Sequence, residues 1–286
     1  MRFLSLSLLS AVSVLAAACS PVGFLNGITP SSSYSLAKDL PYGELERQKL
    51  DIYKAESPKN NTPVIVYIHA GSWKDGSKDI YKFLGEGFAR EGYDIVVPNY
   101  RLYPESIYPD FVEDAAQAVA YVSKRYPDRS LALIGHSAGG HIVTLLGTDS
   151  GYLENAGVDM CSTVSSIVGF AAPTGAYPMT DEPFITIFPE RFGGKDALLN
   201  NVDSPSPPMF LMNGGKDTTV GPKNSEELAA AINARGGKAV YKLYPDLNHS
   251  DPAKVMSKYF DGDSTLKADV IDFIDQAALA QGGYCQ

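Results

Sequence analysis

The sequence predicts an α/β fold, a mostly parallel central sheet with helices on both faces. Three observations carry that expectation. Short apolar runs rich in β-branched residues alternate with amphipathic stretches along the chain, the pattern of strands buried on both faces and connected by helices. A glycine-flanked pentapeptide, Gly135-His136-Ser137-Ala138-Gly139, lies between one apolar run and a helical stretch. At 286 residues and 44% hydrophobic, the chain can bury the large core that such a sheet needs.

Taken in order, residues 1–18 read as an export signal. Met1-Arg2 gives a minimal positive start, and an apolar stretch from Phe3 to Ala18 ends in small residues before Cys19. That stretch is short against the roughly 20 apolar residues of a spanning helix. Leu15-Ala16-Ala17-Ala18-Cys19 resembles a bacterial lipobox, with the leucine one position further from the cysteine than usual. This reading lipidates Cys19 and gives a periplasmic or cell-envelope lipoprotein with a lipid anchor in a membrane. The alternative is plain cleavage after Ala18 and secretion. Residues 19–38, with their serines, glycines and prolines, are then expected to form a tether, and residues 39–286 the folded domain.

Within that domain Gln48 to Tyr53 alternates polar and apolar residues, as a half-exposed strand does. Val64 to Ile68 and Ile95 to Val97 are buried strands, with a helix at Lys78 to Arg90 between them. Pro109 to Arg125 is a helix: Phe111, Val112, Ala115, Ala118, Val119 and Val122 form one stripe, and Asp110, Glu113 and Asp114 suit its N-terminal end. Further strands are Leu131 to Ile134, Ile167 to Phe170, Met209 to Met212 and Val240 to Tyr244, and further helices Pro222 to Arg235 and Ser264 to Ala280. The stretch from Thr174 to Pro208 breaks the alternation. It is rich in proline, glycine and aromatics, and is expected to be a cap insertion over the strand ends, since long excursions in compact domains are usually functional.

A net charge of −9 and a pI near 4.9 argue against nucleic acid as a partner. Oligomeric state is not legible. Cys161 and Cys285 are either a disulfide pair, which export favours, or a small buried residue and a stray on the tail.

The chemistry starts at Ser137. A G-x-S-x-G between strand and helix forces a sharp turn tolerated by small flanking residues, with the serine lifted into solvent at its tip. A serine hydroxyl is a poor nucleophile at neutral pH, so it needs a base, and the base an orienting acid. Of four histidines, His136 is adjacent to Ser137 and cannot fold back onto it. His141 points along the elbow helix, and His69 ends a strand. His249, in the polar loop after the Val240 to Tyr244 strand, is the best base. Asp217, in the loop after Met209 to Asn213, is the expected acid, with Asp246 the runner-up and Asp196 and Asp203 behind it. An oxyanion needs backbone donors. Ala138 supplies one, and the small-residue loop His69-Ala70-Gly71-Ser72-Trp73 is placed to supply a second.

With Ser137, Asp217 and His249 in that order, the chain resembles the α/β-hydrolase fold. It is most similar to the branch of hormone-sensitive-lipase-like, feruloyl-esterase-like and kynurenine-formamidase-like enzymes. The resemblance runs from Gln48-Lys49-Leu50-Asp51-Ile52-Tyr53 through Asn99-Tyr100-Arg101-Leu102 with Pro104-Glu105, and through the elbow to the Asp217 and His249 loops. It implies the amides of Gly71 and Ser72 as oxyanion donors. Ala70 stands where that branch has a glycine, which puts the turn of the loop in question. Arg101 and Glu105 are expected to form an ion pair bracing this loop. Trp73, the only tryptophan, packs beneath the oxyanion loop or lines the pocket.

The expected function is a serine hydrolase that cleaves small-molecule carboxylic esters through an acyl-enzyme, without metal or cofactor. An amidase, formamidase or peptidase on the same triad is the alternative, and a catalytically silent binding protein is a third reading. Acyl and alcohol specificity are not legible.

Overall fold

The computed structural model describes residues 21–174, 181–192, 194, 198–200, 202 and 206–285. Its eight strands are β1 Tyr34–Pro41, β2 Lys49–Ala55, β3 Val64–Ile68, β4 Ile95–Pro98, β5 Leu131–His136, β6 Val164–Phe170, β7 Met209–Gly214 and β8 Ala239–Tyr244. They form one sheet in the order β1-β2-β4-β3-β5-β6-β7-β8. β1 and β2 run antiparallel at one edge, and β3 through β8 are parallel.

The apolar runs explain the layers. Alternate residues of each buried strand serve opposite faces. Val64, Val66, Leu131, Leu133, Met209 and Leu211 join one core, and Ile65, Tyr67, Ala132, Ile134, Phe210 and Met212 the other. Named in chain order, the principal helices are α1 Pro21–Ile28, α2 Lys82–Ala89, α3 Asp110–Arg125, α4 Ala138–Thr148, α5 Lys223–Ala234, α6 Asp251–Lys254 and α7 Leu266–Leu279. Helices α3, α4 and α5 cover the first face, and α2, α6 and α7 the second. Ile68 pairs with Gly135 and His136 with Phe170, so the loops that follow β3, β5 and β6 leave the sheet side by side. Parallel sheets bind ligands at that edge.

Four expectations need correction or addition. Residues 21–38 are not a tether: α1 and the first half of β1 lie there. The helix has no strong propensity of its own and is held by side chains. Asn26 Oδ1 accepts from the Phe83 amide, Lys82 Nζ donates to the Thr29 carbonyl, and the Tyr259 hydroxyl donates to the Ile28 carbonyl. Secondly, β2 is not half-exposed, because β1 and α2 enclose it. Asp51 is therefore buried, its charge met by Lys78, itself 2% exposed, at 3.0 Å. Thirdly, the helix expected from Lys78 begins as a 3-10 turn, Lys78–Tyr81. Fourthly, Arg101 does not pair with Glu105, which is exposed. Its guanidinium forks onto the buried Asp114 carboxylate of α3, with Nε and Nη2 donating at 2.9 Å to Oδ2 and Oδ1. A planar fork favours this two-point partner.

Cys161 and Cys285 are joined by a disulfide, with their Cα atoms 6.0 Å apart. The export signal and Cys19 lie outside the described residues, as do Asp196 and Asp203. Of the expected cap, the described parts hold a short helix, Phe184–Ile187, and 3-10 turns at Glu190–Phe192 and Leu198–Asn200.

Candidate active site

The elbow is built by steric necessity. A Cβ on Gly139 would stand 2.1 Å from the Ile68 carbonyl oxygen, so only glycine lets α4 start this close to β3. Ser137 takes φ 54° and ψ −119°, a conformation that side chains rarely adopt, and its amide donates to the Phe170 carbonyl at 2.8 Å. The expected solvent-exposed tip is absent: Ser137 is 9% exposed, because neighbouring loops close around it.

Those loops bring His249 and Asp217 to it. Ser137 Oγ lies 3.0 Å from His249 Nε2, and His249 Nδ1 lies 2.8 Å from Asp217 Oδ2. An ionised carboxylate only accepts, so Nδ1 carries the ring proton and Nε2 is left to accept from the serine. The acid is itself fixed: its other oxygen accepts from the Thr219 and Val220 amides at 2.8 and 2.9 Å. Two backbone bonds tie the acid and base loops together, from Gly215 N to the Tyr244 carbonyl and from Lys216 N to the Leu247 carbonyl. Asp246 takes no part. Its side chain is 88% exposed and pairs with Lys216 at 2.9 Å.

His136 has a role that sequence reasoning missed. Its Nε2 donates to the His249 carbonyl at 2.7 Å, which holds the base loop against the elbow. Burial, with the adjacent His249 second, pushes its pKa down to about 4, so this ring stays neutral as a donor. His69 is likewise buried and pushed down to about 4. It stacks on Tyr100 at 4.3 Å, and its Nδ1 donates to the Ala70 carbonyl. Adjacency to Ser137 and a strand-end position were the signals available for these two, and neither predicts a partner.

The loop after β3 turns through three consecutive positive-φ residues, Gly71 at 137°, Ser72 at 51° and Trp73 at 58°. A Cβ on Gly71 would meet the Asp75 carbonyl oxygen at 1.9 Å. Ala70 has no positive φ, so the residue in doubt does not make the turn. Ala138 opens α4, where first-turn amides have no partner within the helix. Arg47, unmarked by any motif, braces the far end of the loop, with its Nη2 donating to the Gly76 carbonyl and its Nε to the Tyr100 carbonyl. Trp73 is buried against Phe111 and His141, and meets Phe184 and Phe188 of the insertion edge to face. Among the described residues no group of three or more His, Cys, Asp or Glu is arranged to hold a metal ion.

This geometry can be set beside known proteins. A family model described as BD-FAE matches residues 50–186. The isoprenylcysteine alpha-carbonyl methylesterase ICME of Arabidopsis thaliana is 26% identical over 246 residues, covering 77% of this chain and 57% of that protein. A kynurenine formamidase of Danio rerio is 29% identical over 219 residues, covering 74% of this chain and 73% of its own. The chain spans only 57% to 59% of the length of the first three methylesterases it matches. Among solved structures, a phosphonate-inhibited esterase B from Lactobacillus rhamnosis superposes with a TM-score of 0.76 at 17% identity, over 95% of each chain. A truncated carbohydrate esterase from gut microbiota gives 0.74 at 20% identity, over 87% of this chain and 99% of that one. The chain thus has the α/β-hydrolase fold, and its relatives fall in the branch that its motifs resemble.

Proposed function

We propose that this α/β-hydrolase-fold chain is a serine hydrolase that cleaves carboxylic esters of small molecules through an acyl-enzyme. The observation that carries the reading is the hydrogen-bonded line from Ser137 Oγ through His249 to the buried Asp217, at 3.0 and 2.8 Å. Ser137 Oγ attacks the ester carbonyl carbon as its proton passes to His249 Nε2. The carbonyl oxygen takes the negative charge and turns to the amides of Ala138, Gly71 and Ser72. Each such donor typically contributes about 2.7–4 kcal/mol to the barrier. Asp217 stabilises the imidazolium. The tetrahedral adduct collapses, the carbon–oxygen bond to the alcohol breaks, and His249 returns its proton to the leaving oxygen. Water then repeats the sequence on the acyl-enzyme, releasing acid and free Ser137.

A formamide or amide substrate is the second reading, favoured by the relatives named kynurenine formamidase. The same steps would expel an amine in place of an alcohol. The deciding experiment is fluorophosphonate labelling of the purified protein, followed by matched assays on short-chain esters and their amide counterparts. Labelling on the peptide containing Ser137 with faster ester turnover is expected. Faster amide turnover would move the assignment to the second reading, and the absence of both labelling and turnover would leave a silent binding protein.

Export, with Cys19 lipidated, is part of the same proposal. It is supported by the apolar stretch before Cys19 and by the Cys161–Cys285 disulfide, since disulfides persist in oxidising compartments. The mass of the mature N-terminus from a bacterial host is the test. An unmodified chain starting at Cys19 would mean plain secretion.

A further inference from the structure

A cavity of about 420 Å³ opens beside the catalytic loops, on the second face of the sheet, a size within the usual range for small-molecule pockets. Three of its lining residues, Ala70, His136 and Ser250, are the immediate chain neighbours of Gly71, Ser137 and His249. The cavity therefore meets the oxyanion loop, the elbow and the base loop at once. Most of the rest of its wall is hydrocarbon, chiefly Leu25 and Phe24 of α1 with Ile80, Phe83, Ala253 and Phe260, and among the described residues Lys254 is the only charged one lining it.

Helix α1 adds a second observation. It is fastened by polar bonds through Asn26, Lys82 and Tyr259, which would hold it whatever its apolar residues faced. Yet Phe24 and Ile28 are exposed at the cavity mouth and not turned into the core. Hydrocarbon left in water beside a void is a loss that a hydrocarbon ligand would recover.

We propose that this cavity is an apolar-chain subsite, seating a hydrocarbon chain of the substrate while its carbonyl lies at Ser137. The inference rests on the esterase reading and names the kind of ester that it takes. The chain can belong to the acyl or to the alcohol part, and the chemistry of the wall is the same for both.

The test uses two ester series on the full chain: methyl esters of lengthening straight-chain acids, and acetates of lengthening straight-chain alcohols. In one series kcat/KM should climb about fourfold per methylene until the cavity is full. A climb in the acid series identifies an acyl chain, and a climb in the alcohol series an alkyl chain. Flat profiles in both overturn the subsite. Ala253→Phe narrows the cavity, and Phe24→Asp makes its mouth polar at a position exposed enough to spare the fold. Each should lower the long-to-short ratio about tenfold, and an unchanged ratio in both counts against the proposal. A readout independent of turnover is the binding of dansyl-undecanoic acid to Ser137→Ala protein, expected to saturate and to weaken at least tenfold when Phe24→Asp is added. Such binding without turnover of any ester keeps the subsite and removes the esterase reading. Short-ester turnover with two flat profiles and no binding does the reverse.

Discussion

On one flank of Ser137, Trp73 is enclosed by Phe111, His141, Phe184 and Phe188 and is 5% exposed. On the other flank α1 leaves Phe24 64% exposed at the mouth of a cavity. Both flanks are apolar, and both adjoin the same catalytic loops. They differ in what fills them. Aromatic rings fill the first, and because Trp73 is itself the third residue of the positive-φ turn after β3, their packing fixes the backbone of that loop. The second is a cavity walled by α1, and its helix is positioned by hydrogen bonds. Substitutions on the first flank should therefore be felt as lost stability and lost geometry, and those on the second as changed substrate preference.

Chemistry at the junction of the two flanks sets the upper limit of effect. Ser137→Ala should cut ester turnover about a million-fold for substrates of every chain length, measured on purified protein with intact circular dichroism. Comparable residual activity would mean that the flanks converge on some other nucleophile. Asp217→Asn should cost about ten-thousand-fold by favouring the wrong imidazole tautomer, while Asp246→Asn should leave the rate near that of the parent. A reversed ranking in steady-state assays would reassign the acid.

The filled flank is tested by Trp73→Ala, which should lose about 3–5 kcal/mol in denaturant unfolding, in line with other buried aromatic deletions. The open flank is tested by Phe24→Ala, which should stay within about 0.5 kcal/mol of the parent. Equal losses would erase the distinction.

Per residue, the effect of pH on stability is close to the loss expected on the filled flank. His69 and His136, each pushed down to about 4, bind a proton more readily in the unfolded chain, where histidine titrates near 6.5. The unfolded state thus holds more protons between about pH 4 and pH 6.5, so stability is fully present above that window and falls as pH drops through it. Each histidine should account for about 3 kcal/mol of the loss. The thermal midpoint of Ser137→Ala protein, followed from pH 7 to pH 4, reads this without interference from turnover. A constant midpoint would show that neither ring is held neutral by its surroundings.

Where residues act through their own backbone or through periodicity, the sequence was readable. The continuous apolar runs at Val64, Ile95 and Met209 read as strands and are buried along their length, and Gly139 admits no side chain beside Ile68. The order of Ser137, Asp217 and His249 along the chain followed from strand ends that carry polar loops. What escaped depends on distant partners. β1 is a largely exposed edge strand of mixed composition, visible only once β2 is there to pair with it. Asp114 looked like a charge suited to the start of a helix, and only the packing of α3 makes it the buried partner of Arg101. Glu105 was merely nearer in sequence. His136 and Arg47 act by holding backbone carbonyls, whose positions no side-chain pattern records.

The disulfide divides the catalytic line between two stretches of chain. Cys161 and Cys285 are 124 residues apart, and the loop they close contains Asp217 and His249 but not Ser137. On the chain-entropy account, closing a loop of that length withdraws about 5 kcal/mol of freedom from the unfolded chain. It also changes what one break in the backbone does. A single cut anywhere between the two cysteines leaves one covalent molecule, in which the fragment with the nucleophile stays bound to the fragment with the end of the chain. Reduction would then release two pieces, and for a cut inside the Thr174 to Pro208 insertion one would carry the serine and the other both its acid and its base.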